Sequence, residues 1–127
     1  MSSFLYSPAY SPPAPVVTVA LFNGDESARE ISVEALLDSG ADGTIVPLQY
    51  LRQLAAPYLE SRRMRTVSGE ISWVDLYAVS LRISSHVLHG ISAVGSARGT
   101  EILIGRDILN QLVVTLDGPA EVTEIEP

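Results

Sequence analysis

The chain has 127 residues, of which 46% are hydrophobic and 18% charged, which fits one globular domain and excludes an intrinsically disordered chain. Fifteen acidic residues against eight basic ones give a formal net charge of −7. Such a surface repels phosphate backbones and anionic membranes, so we expect no nucleic acid and no membrane among the partners. The absence of cysteine excludes disulfides, thiolate metal sites and cysteine nucleophiles. Because the N-terminus also lacks a signal-peptide pattern, we expect a cytoplasmic protein.

The two ends of the chain have the composition of tails. Residues 1–15 carry two Tyr-Ser-Pro triplets and prolines at positions 8, 12, 13 and 15. Proline lacks a backbone N–H and favours extended, polyproline-like chain. We therefore expect residues 1–15 to be a flexible Pro-rich N-terminal tail, the alternative being a peptide ligand for another domain. Residues 119–127 contain three glutamates and predict an acidic, solvated C-terminal tail.

The first half of the folded part predicts two strands and a short helix. Residues 16–22 are rich in β-branched side chains and favour a strand. Asn23-Gly24 predicts a hairpin turn into a second strand over about 29–37. The end of the second strand is almost continuously apolar, which indicates burial on both faces. Apolar residues at helical spacing then predict a helix from Pro47 to residue 55.

The second half predicts mostly strands. A long hairpin over 62–83 has its turn at Ser68-Gly69. Shorter strands are predicted at 87–94, 101–104 and 113–116. Residues 105–112 have the pattern of a helix. Roughly seven short strands with one or two short helices favour an all-β class, as an antiparallel barrel or sandwich.

One carboxylate, Asp38, stands between the apolar run Ala35-Leu36-Leu37 and the small residues Ser39-Gly40-Ala41. A carboxylate at the end of a buried strand needs partners, because an unpaired buried charge costs several kcal/mol or shifts its pKa. The small neighbours would let backbone N–H groups or a second chain approach it. The motif alone is also typical of an ordinary turn. Its place behind an apolar strand is what favours a functional carboxylate.

Two stretches resemble the motifs of one family. Residues 36–42, Leu-Leu-Asp-Ser-Gly-Ala-Asp, resemble the Leu-Leu-Asp-Thr/Ser-Gly-Ala-Asp motif of retropepsins, the retroviral-type aspartic proteases. Residues 102–109, Ile-Leu-Ile-Gly-Arg-Asp-Ile-Leu, resemble the family's second motif, an apolar strand entering Ile-Gly-Arg-Asn/Asp and a C-terminal helix. The resemblance covers residues 16–118. It implies a single-domain closed antiparallel β-barrel with a flap hairpin and one short C-terminal helix.

The resemblance also implies an activity and a set of site residues. Aspartic proteases hydrolyse peptide bonds with two carboxylates that share one proton. The implied catalytic residues are Asp38, Ser39 and Gly40. The implied substrate-binding residues are Ala41 and Asp42, with Ser68 and Gly69 at the tip of the flap. Arg106 is implied to form a structural ion pair with Asp42. Candidate walls of the substrate groove are Val46, Trp73 and Ile104.

The mechanism needs two carboxylates, whereas Asp-Ser-Gly occurs once in the chain. The other aspartates fall in a predicted turn, strand or helix start or lack the motif, so a second Asp38 must come from a two-fold partner. We therefore predict a homodimeric aspartic endopeptidase that acts on an extended peptide or protein substrate. No cofactor is expected. A metal site is disfavoured, because His86 and His89 are spaced so that they point to opposite faces of a strand.

Two alternatives stay open on the sequence. The same fold could serve as a non-catalytic retropepsin-like module for dimerisation or peptide binding, since the flap is poorer in glycine than retroviral flaps and the surface is acidic. The chain could also be the protease segment of a retroelement polyprotein, with residues 1–15 and 119–127 as linker remnants.

Overall fold

The computed structural model describes residues 1–24, 29–65 and 68–127 of the chain. Within these ranges it contains ten strands and two short helices. The strands are β1 (Ser2–Leu5), β2 (Val16–Phe22), β3 (Glu30–Leu37), β4 (Ile45–Pro47), β5 (Tyr58–Arg65), β6 (Ile71–Ile83), β7 (His86–Ser96), β8 (Ile102–Ile104), β9 (Val114–Asp117) and β10 (Val122–Ile125). The helices are α1 (Leu48–Gln53) and α2 (Arg106–Leu109). The predicted all-β class is confirmed.

Six strands form a closed barrel in the order β2-β3-β8-β4-β7-β6, and the ring closes where β6 pairs with β2. Among the described strands, β5 pairs with β6 alone and lies outside the ring. The predicted closed barrel is thus confirmed. Two of its pairs, β3 with β8 and β4 with β7, run parallel rather than antiparallel. Parallel neighbours need long connections, and a sequence pattern does not disclose which distant strands such connections join.

The core lies inside the barrel and is built from inward-facing side chains. In β2 these are Val17, Val19 and Leu21, which are all fully buried. The expected burial of β3 on both faces is wrong, because Ala35 is its one buried residue and the two leucines that follow keep part of their surface. The barrel wall is a single layer, so the core covers only the inward face of each strand.

Both ends of the chain belong to a second sheet, with the order β1-β10-β9. β1 pairs antiparallel with β10 along its whole length, from Ser2↔Ile125 to Leu5↔Val122. The expected flexible and solvated tails are therefore wrong for these two strands. Residues 2–5 precede the first proline and keep their backbone donors. In β10, Thr123 and Ile125 are buried on one face, and this burial fixes the C-terminal strand in place.

β5 and β6 form the long hairpin that the sequence predicts, paired antiparallel from Tyr58↔Tyr77 to Arg65↔Ile71. The turn between them contains Gly69, whose φ of +88° lies in the left-handed region that glycine tolerates best. Residues 66 and 67, which precede the predicted turn at Ser68-Gly69, lie outside the described residues. The predicted Asn23-Gly24 turn likewise runs into residues 25–28, which are not described.

The two helices are shorter than the predicted spans of 47–55 and 105–112. Ala55, with a φ of 51°, turns the chain away from the α1 axis. In the described part of the chain, no helix is long and apolar enough to cross a membrane.

Candidate active site

Asp38 lies immediately after β3, at the start of a loop of residues 38–44 that we call the Asp38 loop. Its backbone N–H donates to the Ile104 carbonyl of β8 at 2.9 Å, so the barrel fixes where the loop begins. The carboxylate is half-buried, and its Oδ1 accepts a hydrogen bond from the Gly40 N–H at 3.0 Å. A Cβ at position 40 would lie 3.2 Å from this oxygen. Glycine at this position therefore leaves the carboxylate the room it needs.

Arg106, the first residue of α2, holds the Asp38 loop from the side. Its backbone N–H donates to the Ala41 carbonyl at 2.9 Å. Its Nη1 donates to the Ser39 carbonyl at 2.8 Å, and its Nη2 forms an ion pair with Asp42. The planar guanidinium makes both side-chain contacts at once, which the single ammonium of lysine does not do in this geometry. The loop is thereby held at three of its residues.

A second set of contacts, the Thr44–Asp107 network, joins the end of the Asp38 loop to α2. Thr44 is fully buried, and its hydroxyl donates to Asp107 Oδ1 at 2.8 Å and accepts from the Gly105 N–H at 3.2 Å. Asp107 Oδ2 accepts from the Thr44 N–H at 3.2 Å, and Oδ1 also accepts from the Ile108 N–H at 2.9 Å. The sequence prediction missed this network. The only local sign of this network in the sequence is Asp107 itself, a carboxylate in the first turn of a predicted helix.

The backbones of the Asp38 loop and α2 also touch directly. A Cβ at Gly105 would lie 2.6 Å from both the carbonyl carbon and the oxygen of Gly43. No side chain fits in this space, so the glycine of the Ile-Gly-Arg motif allows the close approach that the Arg106 and Asp107 contacts require.

A cavity of about 440 Å³ opens in front of the Asp38 carboxylate, and we call it the Asp38 cavity. On one side it is lined by the Asp38 loop with Ile45, Val94 and Leu103. On the other side it is lined by the β5–β6 hairpin, through Met64, Arg65, Ser72 and Val74. A concave, mainly apolar space with a few charged groups is the usual form of a ligand-binding site.

A known protein family matches the part of the chain that builds this cavity. The model of this family, described as gag-polyprotein putative aspartyl protease, matches residues 26–111, which is more than half of the chain. The chain belongs to this family. The retropepsin resemblance of the two sequence motifs is therefore confirmed.

Solved structures of retropepsin-like proteases share the fold of this chain. EIAV protease, in complex with the inhibitor HBY-793, is 17% identical and has a TM-score of 0.60 over 77% of this chain and 86% of its own. A retropepsin-like aspartic protease from Rickettsia conorii is 11% identical and has a TM-score of 0.62 over 99% of this chain and 94% of its own. At these identities the likeness establishes the fold. Among curated proteins, no sequence matches the chain.

The aspartyl protease fold gathers five of the predicted site residues in one loop, namely Asp38, Ser39, Gly40, Ala41 and Asp42. The predicted Arg106 lies beside them and contacts Asp42. The predicted flap residues Ser68 and Gly69 lie apart from this group, exposed at the turn of the β5–β6 hairpin. On the hairpin side the cavity is lined by strand residues that the sequence prediction did not name.

The three predicted groove walls are wrong. Val46 and Ile104 are fully buried in the barrel core, and their neighbours Ile45 and Leu103 line the Asp38 cavity instead. These two predictions are each displaced by one residue along a strand, and one residue is enough to move a side chain to the opposite face. Trp73 is 71% exposed and lies between Ser72 and Val74, which do line the cavity.

In the described ranges, no group of three or more histidine, cysteine, aspartate or glutamate residues is arranged to hold a metal ion. The two histidines have other contacts. His86 Nε2 lies 2.7 Å from the Glu126 carbonyl oxygen, and His89 packs edge-on against Phe22 with ring centroids 5.9 Å apart. The group that the site offers for chemistry is the Asp38 carboxylate.

Proposed function

We propose that the chain is an aspartic endopeptidase that acts as a homodimer, with Asp38 of each subunit supplying one of the two carboxylates. The supporting observation is a half-buried Asp38 carboxylate facing an apolar cavity from a loop held on α2. Asp42 also lines this cavity, but its carboxylate is paired with Arg106. The second carboxylate therefore has to come from another chain, and a two-fold axis would bring a residue opposite its own copy.

In this mechanism the two carboxyl groups share one proton, because like charges about 3 Å apart cannot both ionise. The ionised carboxylate takes a proton from a water molecule as the water oxygen bonds to the scissile carbonyl carbon. The protonated carboxyl group donates its proton to the carbonyl oxygen, which gives a neutral tetrahedral intermediate. The C–N bond then breaks as the carboxyl group protonates the amine nitrogen and the carboxylate takes a proton from one hydroxyl of the intermediate, which restores the shared proton. The sum is the addition of one water across the peptide bond.

The other residues of the Asp38 loop have supporting roles in the proposal. Ser39 is exposed and would donate its hydroxyl across the two-fold axis to the partner's loop. Gly40 and Ala41 leave space for a substrate backbone, and Asp42 would accept from a substrate N–H. Ser68 and Gly69 would cover the bound peptide at the hairpin tip. An extended peptide would be held by main-chain hydrogen bonds and by apolar side-chain pockets.

Cleavage of an unstructured protein such as casein tests the proposal. Wild-type protein should produce fragments, and Asp38→Asn should reduce them to the level of a blank. Asp117→Asn is the matched control, because Asp117 Oδ1 accepts the Ala120 N–H at 3.0 Å in the terminal sheet and an amide oxygen can do the same. Equal cleavage by wild type and Asp38→Asn would refute the mechanism.

The dimer is tested separately by sedimentation at micromolar concentrations. A dimer is expected, with cleavage faster at mildly acidic pH than above neutrality, because the shared proton is lost as the pH rises. A strict monomer that cleaves nothing at any pH would favour the non-catalytic peptide-binding module instead.

A further inference from the structure

A second cavity, of about 580 Å³, continues from the Asp38 cavity beneath the β5–β6 hairpin. The two cavities share the lining residues Asp42, Gly43, Met64, Arg65, Val74 and Val94. A peptide that passes Asp38 in extended form therefore has a continuous path into the second cavity. We call it the arginine cavity, because three of its lining residues are the arginines of β5, namely Arg62, Arg63 and Arg65.

The carboxylates in the lining of the arginine cavity already have partners. Asp42 is paired with Arg106. Asp107 is held by the hydroxyl and N–H of Thr44. Among the described residues, the one ion pair that these three arginines form is the exposed pair of Arg62 with Glu60. This cavity therefore presents positive charge in a chain whose formal net charge is −7. The contrast with the rest of the surface indicates that this cavity selects for a negative group.

The strand register identifies which of the arginines points into the cleft. Residues directly opposite each other on antiparallel strands share a face. Arg62 lies opposite Val74, and its neighbour on the same face, Met64, lies opposite Ser72. Val74, Met64 and Ser72 all line the Asp38 cavity. Arg62 is therefore on the cleft face of the hairpin. Arg63 lies opposite the exposed Trp73, and Arg65 lies opposite the exposed Ile71. By register both side chains leave the hairpin on its outer face, although both residues border the arginine cavity.

Arg62 has a partner that a substrate could replace. Its Nε donates to Glu60 Oε1 at 2.9 Å, and its Nη2 contacts the same oxygen at 2.5 Å. The two side chains are 64% and 50% exposed, respectively. Exposed ion pairs contribute little to stability, so exchanging Glu60 for another carboxylate has a small cost. The side-chain carboxylate of a peptide bound in the cavity is better shielded from water than that of Glu60, so its hydrogen bonds with the Arg62 guanidinium are stronger.

We propose that Arg62 forms a carboxylate-binding subsite of the cleft, so that preferred substrates carry aspartate or glutamate a short distance from the scissile bond. The two-fold axis of the proposed dimer gives the cleft two such subsites, so the acidic residue can lie on either side of the bond. This inference rests on the proposed endopeptidase function. It adds a substrate class, namely peptides with an acidic residue a short distance from the cleaved bond.

A tryptic peptide library from a whole proteome tests the inference, with cleaved bonds mapped by mass spectrometry. Wild-type protein should cut with acidic residues enriched at one or two positions on either side of the bond, since each subunit supplies one Arg62. Arg62→Gln should still cut but lose the enrichment. Arg63→Gln removes the same charge one residue away on the outer face, and it should keep the enrichment. Cutting without any enrichment, or equal effects of the two variants, would overturn the subsite while the proposed function stands. Absence of cutting by wild type would instead contradict the proposed function.

A matched pair of fluorescein-labelled peptides then measures the effect on binding without turnover. The pair takes its sequence from a strongly cut site and differs only by glutamate or glutamine at the enriched position. Measured by fluorescence anisotropy, Asp38→Asn protein should bind the glutamate peptide about five- to tenfold more tightly than the glutamine peptide. Adding Arg62→Gln should bring the ratio close to one, whereas adding Glu60→Gln should raise it, because Arg62 loses its competing partner. A ratio that Glu60→Gln lowers or leaves unchanged would contradict the exchange of partners.

Discussion

Thr44→Val removes one hydroxyl from the Thr44–Asp107 network and keeps nearly the same side-chain shape. Thr44 is fully buried, so no solvent replaces the lost group. The variant loses two hydrogen bonds of the Thr44 hydroxyl, the one it donates to Asp107 Oδ1 at 2.8 Å and the one it accepts from the Gly105 N–H at 3.2 Å. The variant therefore measures how strongly the end of the Asp38 loop is fixed to α2.

The expected loss follows from what the removed hydroxyl leaves behind. A hydrogen bond to a charged group is worth about 1.5–3 kcal/mol, and an unsatisfied buried N–H costs about 1–3 kcal/mol. Asp107 Oδ1 keeps its bond from the Ile108 N–H, which reduces the first contribution. We expect the free energy of unfolding to fall by about 2–4 kcal/mol. In urea this lowers the unfolding midpoint by about 1–3 M.

Thr123→Val is the matched control for this measurement. Both threonines are 0% exposed, but in the described part of the chain nothing bonds to the Thr123 hydroxyl. Removing an unpaired buried hydroxyl should leave the free energy of unfolding unchanged or raise it by about 1 kcal/mol. Equal losses in the two variants, or a loss below about 0.5 kcal/mol for Thr44→Val, would refute the reasoning. Protein concentrations must be equal, because the unfolding midpoint of a dimer depends on concentration.

Three further predictions address the dimer, the loop and the N-terminal segment. Wild-type and Asp38→Asn chains mixed equally should keep about one quarter of the wild-type activity after subunit exchange, whereas a monomeric enzyme would keep about half. Gly105→Ala should lower the free energy of unfolding in urea by about 1–3 kcal/mol, because its Cβ would lie 2.6 Å from the Gly43 carbonyl; an unchanged midpoint would contradict that contact. A hydrogen bond to the Glu101 carboxylate raises the pKa of Tyr10 from 10.0 to about 12. This contact stabilises the fold below pH 10.0 and is lost as the pH rises through about 12. Spectrophotometric titration of Tyr10→Phe should lack the last tyrosine ionisation of the wild type, and loss of an earlier one would contradict the assignment.

The local parts of the site could be predicted from the sequence because short motifs specify them. The apolar run before Asp38 and the small residues after it led to the turn and its carboxylate. The glycine and arginine of the second motif led to Arg106 and its acidic partner. In both motifs the decisive property, either the backbone freedom of glycine or the charge of a side chain, belongs to a single residue.

The parts that were missed depend on which residues meet across long distances. Thr44 and Asp107 are 63 positions apart, and neither has a local pattern that names the other. The groove walls were misplaced by one residue, because the sequence did not tell which face of each strand would point into the barrel. The terminal strands were missed because the prolines dominated the composition of residues 1–15, although residues 2–5 contain none.

The β5–β6 hairpin, which covers the Asp38 cavity, is attached to the barrel along a short stretch. β6 begins to pair with β7 only at Leu76, so residues 71–75 of β6 and their partners 61–65 of β5 project beyond the barrel as a two-stranded extension. This two-stranded extension can move away from the barrel without breaking any hydrogen bond of the closed ring. Its amide hydrogens should exchange with solvent faster than those of β2, and a peptide bound beneath it should slow that exchange. Thermal stability and access to the Asp38 cavity therefore depend on different strands of one sheet.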